Sequence, residues 1–198
     1  MTMNYGLNKV IGENETGFRG RQDLLYRTEG WDFIIAGGAL YSNLDYSFTP
    51  QHPDGTFLDY QSPGGGSPAL RRQLSILKQF MEGFEFVRMK PEPSVIKSVS
   101  GGLSSQVLAE LGRAYAIYLH VPIPWKPKNV EELAVTQVKT TLVLGLPAGS
   151  YRAEWIDTKN GEVRASEQLE HSGGSRSLES PKFAADIALR IVAVLAKQ

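Results

Sequence analysis

A proline-rich junction near the middle of the chain separates two segments whose apolar and polar residues follow different patterns. The junction, Met89-Lys90-Pro91-Glu92-Pro93-Ser94, holds two prolines, which interrupt helices and are excluded from the middle of a sheet. Helical patterns alternate with short strand-like runs before it, whereas strand-like runs follow one another after it. We therefore predict one domain at residues 1–90 and a second at residues 91–198.

The first segment begins with a strand, a helix and a second strand. Residues 8–13 predict a short strand, and residues 22–37 carry an apolar stripe at helical spacing. Gly37-Gly38 ends that helix. Residues 39–47 then predict a second strand with polar side chains on one face.

A second helix is predicted after a long loop. Ser67 is typical of an N-cap, and Pro68 suits the first helical position. Apolar residues recur at intervals of four and three on one face: Leu70, Leu74, Leu77, Met81 and Phe84. The order strand, helix, strand, helix predicts parallel strands with helices packed against them.

The second segment has the pattern of an antiparallel β-sandwich. Asn160-Gly161 is a strong hairpin signal between two strand-like runs. Residues 185–195 fit a helix or a strand, and the alternation of Ile187, Leu189 and Ile191 favours a strand. Short strands separated by turn residues predict a sandwich, so the expected fold class is α+β. The predicted strands are residues 107–111, 114–120, 140–146, 151–156, 162–169 and 185–195.

The composition argues against several classes of protein. Lys and Arg together number 21, as do Asp and Glu, so the formal net charge is zero. With no basic run, this charge argues against nucleic-acid binding. The absence of Cys excludes a disulfide scaffold and Cys-based metal sites. No apolar run approaches the about 18 residues that cross a membrane, so we expect no membrane partner.

No motif for a cofactor or a metal ion is present. The histidines His52, His120 and His171 are isolated and do not form a metal signature. The run Pro63-Gly64-Gly65-Gly66-Ser67 precedes a helix, but it lacks the Lys-Ser/Thr ending of a phosphate-binding loop. We therefore expect neither a cofactor nor a metal site.

Carboxylates near the ends of the two predicted parallel strands are the candidate reactive groups. Functional side chains in parallel α/β folds project from the carboxyl ends of strands, where Glu13, Glu15 and Asp45 are expected. A carboxylate held there can attack an anomeric carbon or transfer a proton. The alternative is structural: Glu15 caps the following turn, or pairs with Arg19 or Arg21.

Side chains on the second predicted strand suit sugar recognition. Aromatic rings stack on sugar C–H surfaces, and amides and carboxylates bind hydroxyls, so Tyr41, Asn43 and Asp45 are candidate substrate contacts. The alternative is an ordinary strand end whose tyrosines pack on a neighbour. His52 in the long loop is a further candidate, although His-Pro-Asp-Gly is also a simple turn sequence.

Trp125 is the candidate binding residue of the second segment. It lies in Pro122-Ile123-Pro124-Trp125-Lys126-Pro127, where the prolines favour a rigid and exposed indole. Trp155, Tyr151 and Tyr118 fall in predicted strands, so we expect them in the core.

Residues 13–18, 31–39 and 43–48 resemble the end of a glycoside-hydrolase-like (β/α)8 barrel of the cellulase-like families, which occur in environmental bacteria. Residues 112–119 and 146–155 resemble the β-sandwich that follows such barrels, a type labelled collagen-binding. The resemblance implies a hydrolase that cleaves O-glycosyl bonds, exported to the periplasm or the cell exterior.

The resemblance also implies roles for individual residues. The nucleophile of these barrels ends the seventh strand in a Glu-x-Gly pattern, which Glu15 and Gly17 match; Glu13 fits less well. A complete barrel takes about 250 residues, so the segment before the junction is expected to hold only two of eight βα units. The acid/base carboxylate expected on the fourth strand is absent. We expect this chain to be a C-terminal fragment that is inactive alone.

A non-catalytic function is the alternative. The sandwich would then bind a polysaccharide, an oligosaccharide or a collagen-like protein, or would only support the barrel.

Overall fold

The computed structural model describes residues 2–194, with side chains from residue 5 onward, and arranges them in four layers. A pair of parallel strands is followed by two helices, a six-stranded sheet and a three-stranded sheet. The helices are α1 (Asp23–Ile35), α2 (Pro68–Glu82) and α3 (Val130–Val135), with short 3-10 turns at Thr2–Leu7, Phe86–Arg88, Pro93–Val95 and Ser100–Gly102. The strands are β1 (Gly12–Thr16), β2 (Leu40–Asn43), β3 (Lys90–Pro91), β4 (Ile96–Val99), β5 (Ser104–Glu110), β6 (Ala114–His120), β7 (Gln137–Val138), β8 (Thr141–Leu146), β9 (Gly149–Ile156), β10 (Val163–His171), β11 (Gly174–Glu179), β12 (Phe183–Ala184) and β13 (Asp186–Ala193).

The predicted order strand, helix, strand, helix is confirmed, and β1 and β2 are parallel. The predicted first strand at 8–13 is wrong, because pairing begins only at Gly12, opposite Leu40. Val10 lies outside the pair and is 83% exposed. The strand expected at 39–47 ends at Asn43, because the Asp45 carboxylate accepts the Ser47 backbone N–H at 3.0 Å and begins a turn.

Both helices form where their local chemistry predicts them. The Ser67 hydroxyl oxygen accepts the Leu70 backbone N–H at 2.9 Å, and Pro68 begins α2. α1 buries Trp31 and Ile35 completely. Both helices turn their apolar faces towards the six-stranded sheet, which places them between that sheet and the β1–β2 pair.

The six-stranded sheet has the order β10-β9-β13-β6-β5-β3, and all its neighbours are antiparallel. β13 pairs with β6 on one side and β9 on the other, so the strand predicted for residues 185–195 is confirmed over Asp186–Ala193; residue 195 lies outside the described residues. β8 lies between β11 and β4 in the facing sheet. This arrangement is the α+β fold class expected, with a partial barrel segment followed by an antiparallel sandwich.

Both faces of the six-stranded sheet are buried at its central strand β6. Along β6, Tyr115, Ile117 and Leu119 face the three-stranded sheet, whereas Ala116 and Tyr118 face α1 and α2. Tyr118, Tyr151 and Trp155 are at most 1% exposed, which confirms them as core residues. The two segments therefore share a hydrophobic cluster, while the division at residue 90 stays a prediction.

A buried ion pair joins the helices to the sheet. Arg27 on α1 donates from Nε to Asp186 Oδ2 at 3.1 Å and from Nη2 to Oδ1 at 2.7 Å. The hydroxyls of Tyr118 and Thr158 also donate to Asp186 Oδ2, at 3.0 and 2.7 Å. Burial alone would lower the pKa of Arg27, but the charge and hydrogen bonds of Asp186 outweigh burial and raise it. Arg27 therefore keeps its positive charge.

Within residues 2–194, no helix has the length and apolar character needed to cross a membrane.

Candidate functional site

Glu15 lies inside β1, at an irregularity in the parallel pair. Glu13 pairs with Tyr41 and Thr16 with Asn43, so three steps along β1 match two along β2. Bulges of this kind re-aim side chains and are frequent beside active sites. The expectation that Glu15 follows its strand is wrong, because pairing extends to Thr16.

The Glu15 side chain is exposed and has no hydrogen-bond or ion-pair partner among residues 5–194. The alternative partners are engaged elsewhere: Arg19 Nη1 lies 3.5 Å from Glu29 Oε1, and Arg21 donates to the Leu58 carbonyl oxygen at 2.5 Å. Glu15 is therefore a free carboxylate at the edge of the parallel pair.

Tyr41 lies on the helical side of β2 and binds a carboxylate there. Its hydroxyl donates to Glu29 Oε2 at 3.1 Å, and the Thr16 hydroxyl donates to the same oxygen at 2.6 Å. Burial, with the nearby Glu29 charge and hydrogen bond, raises the pKa of Tyr41 well above its ordinary value. Its hydroxyl therefore connects β2 to α1.

Asn43 and Asp45 differ in how their polar atoms are satisfied. Asp45 Oδ2 forms an ion pair with Arg71 Nη1 at 2.6 Å, and Asp45 Oδ1 accepts the Ser47 hydroxyl at 2.5 Å. Asn43 Nδ2 is buried and has no hydrogen-bond partner in the described part of the chain. Asp45 anchors α2, whereas Asn43 keeps an unused donor beside β1, which is uncommon for a buried amide.

The glycine run 64–66 closes over the ends of both strands, a role that sequence reasoning missed. A side chain at Gly64 would meet the Gly17 carbonyl group after β1, and one at Gly66 would meet the Asp45 carboxylate. The Tyr46 backbone N–H donates to the Gly65 carbonyl oxygen at 3.2 Å. Three consecutive glycines were the available signal, since only glycine permits such close approach.

Two arginines hold the long loop that follows β2. The Arg21 guanidinium lies 4.6 Å from the ring centre of Tyr60, and that of Arg71 lies 4.7 Å from the ring centre of Phe48. His52 is exposed, and its ring centre lies 5.3 Å from that of Phe57. His52 forms part of the turn, and its substrate role stays a prediction.

Trp125 lies in a different place from the strand-end candidates. It is 61% exposed, and it lines a cavity of about 350 Å³ to which Glu15, Asn43, Asp45 and His52 do not contribute. The structure therefore places Glu15 and Asn43 on neighbouring strands and Asp45 in the turn after β2, but leaves Trp125 apart.

No group of three or more His, Asp or Glu side chains among the described residues is arranged to hold a metal ion.

Solved structures that this chain resembles in fold include glycoside hydrolases. The chain aligns with a glycoside hydrolase at a TM-score of 0.57 and 16% identity, covering 87% of this chain and 37% of that one. A glycoside hydrolase family 5 structure from Bacteroides vulgatus ATCC 8482 gives a TM-score of 0.57 at 14% identity, covering 87% of this chain and 36% of that one. A glucosidase from Croceicoccus marinus gives 0.52 at 12% identity, covering 98% and 48%.

No protein-family model matches the sequence, and no curated protein sequence is significantly similar to it. The chain therefore has a glycoside-hydrolase-like fold and spans between about one third and one half of the length of the structures it matches.

Proposed function

We propose that this chain is the C-terminal part of a retaining glycoside hydrolase in which Glu15 is the nucleophile. The observation that carries the proposal is the free, exposed Glu15 carboxylate at the bulge of a parallel pair. Parallel α/β enzymes place reactive groups at this edge of the sheet. Two solved structures that share this fold are described as glycoside hydrolases, which supports the proposed class of activity.

The proposal includes a missing partner. Retention requires a second carboxyl group about 5–5.5 Å from the nucleophile. The nearest candidate in sequence is Asp45, in the turn after β2, and its carboxylate is paired with Arg71. The second acid belongs to further βα units, so the 198-residue chain alone is inactive.

Two assays test this proposal. The purified 198-residue chain and its Glu15→Gln variant should both leave aryl glycosides intact; turnover that is lost in Glu15→Gln would contradict the missing partner. The reading frame extended upstream should encode further βα units, and the extended protein should hydrolyse the substrate. Glu15→Gln should abolish that activity, whereas the control Glu13→Gln should retain it. Equal activity of both variants would overturn the role of Glu15.

Exposure of Trp125 favours a second candidate function, a non-catalytic module that binds a polysaccharide or a collagen-like protein. Retention of the chain on insoluble polysaccharide or on collagen should fall in Trp125→Ala. Phe86→Ala is the matched control, because Phe86 is an exposed aromatic residue, 48% exposed, that does not line the cavity beside Trp125. Retention that is absent, or unchanged in Trp125→Ala, would contradict this function.

A further inference from the structure

The cavity beside Trp125 is built where the helical layer meets the sandwich. α1 contributes Glu29, Asp32 and Phe33, the end of β6 contributes His120, and the following loop contributes Trp125. Its volume of about 350 Å³ is at the low end of small-molecule sites, which span roughly 300–1,000 Å³. The cavity therefore suits one ring-sized ligand.

Arg19 holds the Trp125 loop in place. Its Nε donates to the Trp125 carbonyl oxygen at 3.2 Å, and its Nη2 donates to the Pro124 carbonyl oxygen at 3.3 Å. The guanidinium carbon also lies 5.2 Å from the Trp125 ring centre. A rigid, partly exposed indole loses little conformational entropy when a ligand stacks on it.

The charges that line the cavity balance one another. Arg19 faces Glu29 at 3.5 Å, and His120 Nε2 lies 3.3 Å from Asp32 Oδ1. His120 Nδ1 lies 2.7 Å from the Val121 carbonyl oxygen, so both ring nitrogens face acceptors, as in an imidazolium. When His120 carries a proton, the two positive and two negative groups leave no net charge to attract an ion.

Polar atoms remain free for an uncharged ligand. Asp32 is 37% exposed at its side chain, and its Oδ2 has no hydrogen-bond partner among the described residues. The Trp125 Nε1–H also has none there. A carboxylate oxygen, an indole N–H and an aromatic face match the hydroxyls and C–H surface of a sugar ring.

We propose that this cavity binds one neutral pyranose unit, with Trp125 as the stacking surface and Asp32 as the hydroxyl acceptor. The proposal deepens the second candidate function, because it specifies the sugar, rather than collagen, and the position at which it binds. It is independent of hydrolysis at Glu15.

The test follows the three indole N–H signals by NMR during titration with methyl glucoside, galactoside, mannoside and xyloside. Trp31 and Trp155 have buried Nε1 atoms and serve as internal controls. At least one glycoside should shift the Trp125 signal saturably and leave the other two unchanged. Glucuronate and glucosamine, which carry a charge on the same ring, should bind about tenfold more weakly. A Trp125 signal that responds to no neutral glycoside, or more strongly to a charged sugar, would overturn the proposal.

Two variants distinguish sugar binding in the cavity from sugar binding elsewhere on the surface. Asp32→Asn should weaken binding about tenfold, whereas Asp59→Asn, in the exposed loop after β2, should not. Equal affinities would overturn the role of Asp32. A saturable glycoside shift without retention on polymers supports the cavity and rejects the polymer-binding function. Retention that depends on Trp125 without any glycoside shift would support the polymer-binding function and overturn the cavity proposal.

Discussion

Two glutamates in strands, Glu154 in the sandwich and Glu15 in the parallel pair, differ in burial and in ion pairing. Glu154 lies in β9, which is paired on both sides, and is 4% exposed. Arg190 Nη2 and Arg152 Nη2 each lie 2.6 Å from one of its carboxylate oxygens. Glu15 lies in β1, which pairs only with β2 among the described residues, and its carboxylate is exposed and unpaired.

The difference separates structural from available charges. A carboxylate in a completed sheet must be neutralised by ion pairs, because burying a lone charge costs several kcal/mol. A carboxylate at an open edge stays hydrated and free to react. The buried carboxylate of the sandwich therefore has a structural role. The exposed carboxylate of the β1–β2 pair is the one for which we propose a catalytic role.

The largest predicted effect lies in the ion pair that joins these two parts. Asp186→Asn leaves Arg27 with an uncompensated buried charge and should lower the free energy of unfolding by about 3–5 kcal/mol. Urea unfolding monitored by circular dichroism measures the change.

An exposed pair on α2 provides the control for this prediction. Lys78 is 70% exposed at its side chain and pairs with Glu82, so Lys78→Gln should change stability by less than about 1 kcal/mol. The double variant Arg27→Met/Asp186→Leu should recover much of the loss, since apolar residues need no partner. Similar effects for Asp186→Asn and Lys78→Gln would show that the two parts are not joined by this pair.

A second prediction concerns the close approach at the strand ends. Gly64→Ala places a methyl group against the Gly17 carbonyl and should cost about 1–3 kcal/mol, because backbone cannot move aside cheaply. Gly6→Ala is the control, since nothing lies within 4 Å of the added carbon. Thermal unfolding of both variants measures the difference, and equal midpoints would argue against a tightly closed glycine run.

The elements that sequence patterns predicted well depend on local chemistry. The Ser67-Pro68 start defines α2, and the Asn160-Gly161 turn, with Gly161 at φ +78°, defines a hairpin. The bounds of β1 and β2 could not be predicted in the same way, because they depend on where two strands meet.

The contacts of the candidate site could not be predicted from local sequence either. Glu15 could be proposed from its Glu-x-Gly context, but its free state depends on which partners the arginines find. Arg27 lies in α1, yet its partner Asp186 lies 159 residues away along the chain. The contact of Arg19 with the Trp125 carbonyl spans 106 residues. Such pairs have no short-range signal.

A smaller effect on stability is expected at the N-termini of α1 and α2. The Ser67 hydroxyl caps α2 and donates to Asp23 Oδ1 at 3.0 Å. Ser67→Ala should therefore lower stability by about 1 kcal/mol. Burial raises the pKa of Asp23 and the Ser67 hydrogen bond opposes that rise, so the variant should raise this pKa further.

Ser75→Ala is the matched control for Ser67→Ala. Ser75 is exposed within α2 and donates only to the Arg72 carbonyl oxygen, at 2.7 Å. Alanine is the better helix former, so this variant should be neutral or slightly more stable. A loss in Ser75→Ala as large as that in Ser67→Ala would show that the cap contributes nothing specific.

The smallest effect concerns the pH dependence of His120, which links β6 to α1. Burial alone would lower the pKa of His120, but the hydrogen bond to Asp32, the Val121 carbonyl and the charges of Asp32 and Asp186 together raise it. The folded protein therefore holds this proton to higher pH than the unfolded chain. The stabilisation is complete below about pH 6.5, the ordinary histidine value, and is lost as pH rises through the folded pKa.

Urea unfolding across this pH range, for the wild type and for His120→Gln, isolates the contribution. The difference in the free energy of unfolding should decrease as pH rises, by a fraction of a kcal/mol. In Asp32→Asn, an NMR titration of the His120 C2–H should give a lower pKa than in the wild type, because the largest favourable contact is weakened. A stability difference independent of pH would mean that folding leaves the pKa of His120 unchanged, and this would contradict the prediction. A difference that grows with pH would mean that folding favours the neutral ring, and the cavity beside Trp125 would then carry a net negative charge.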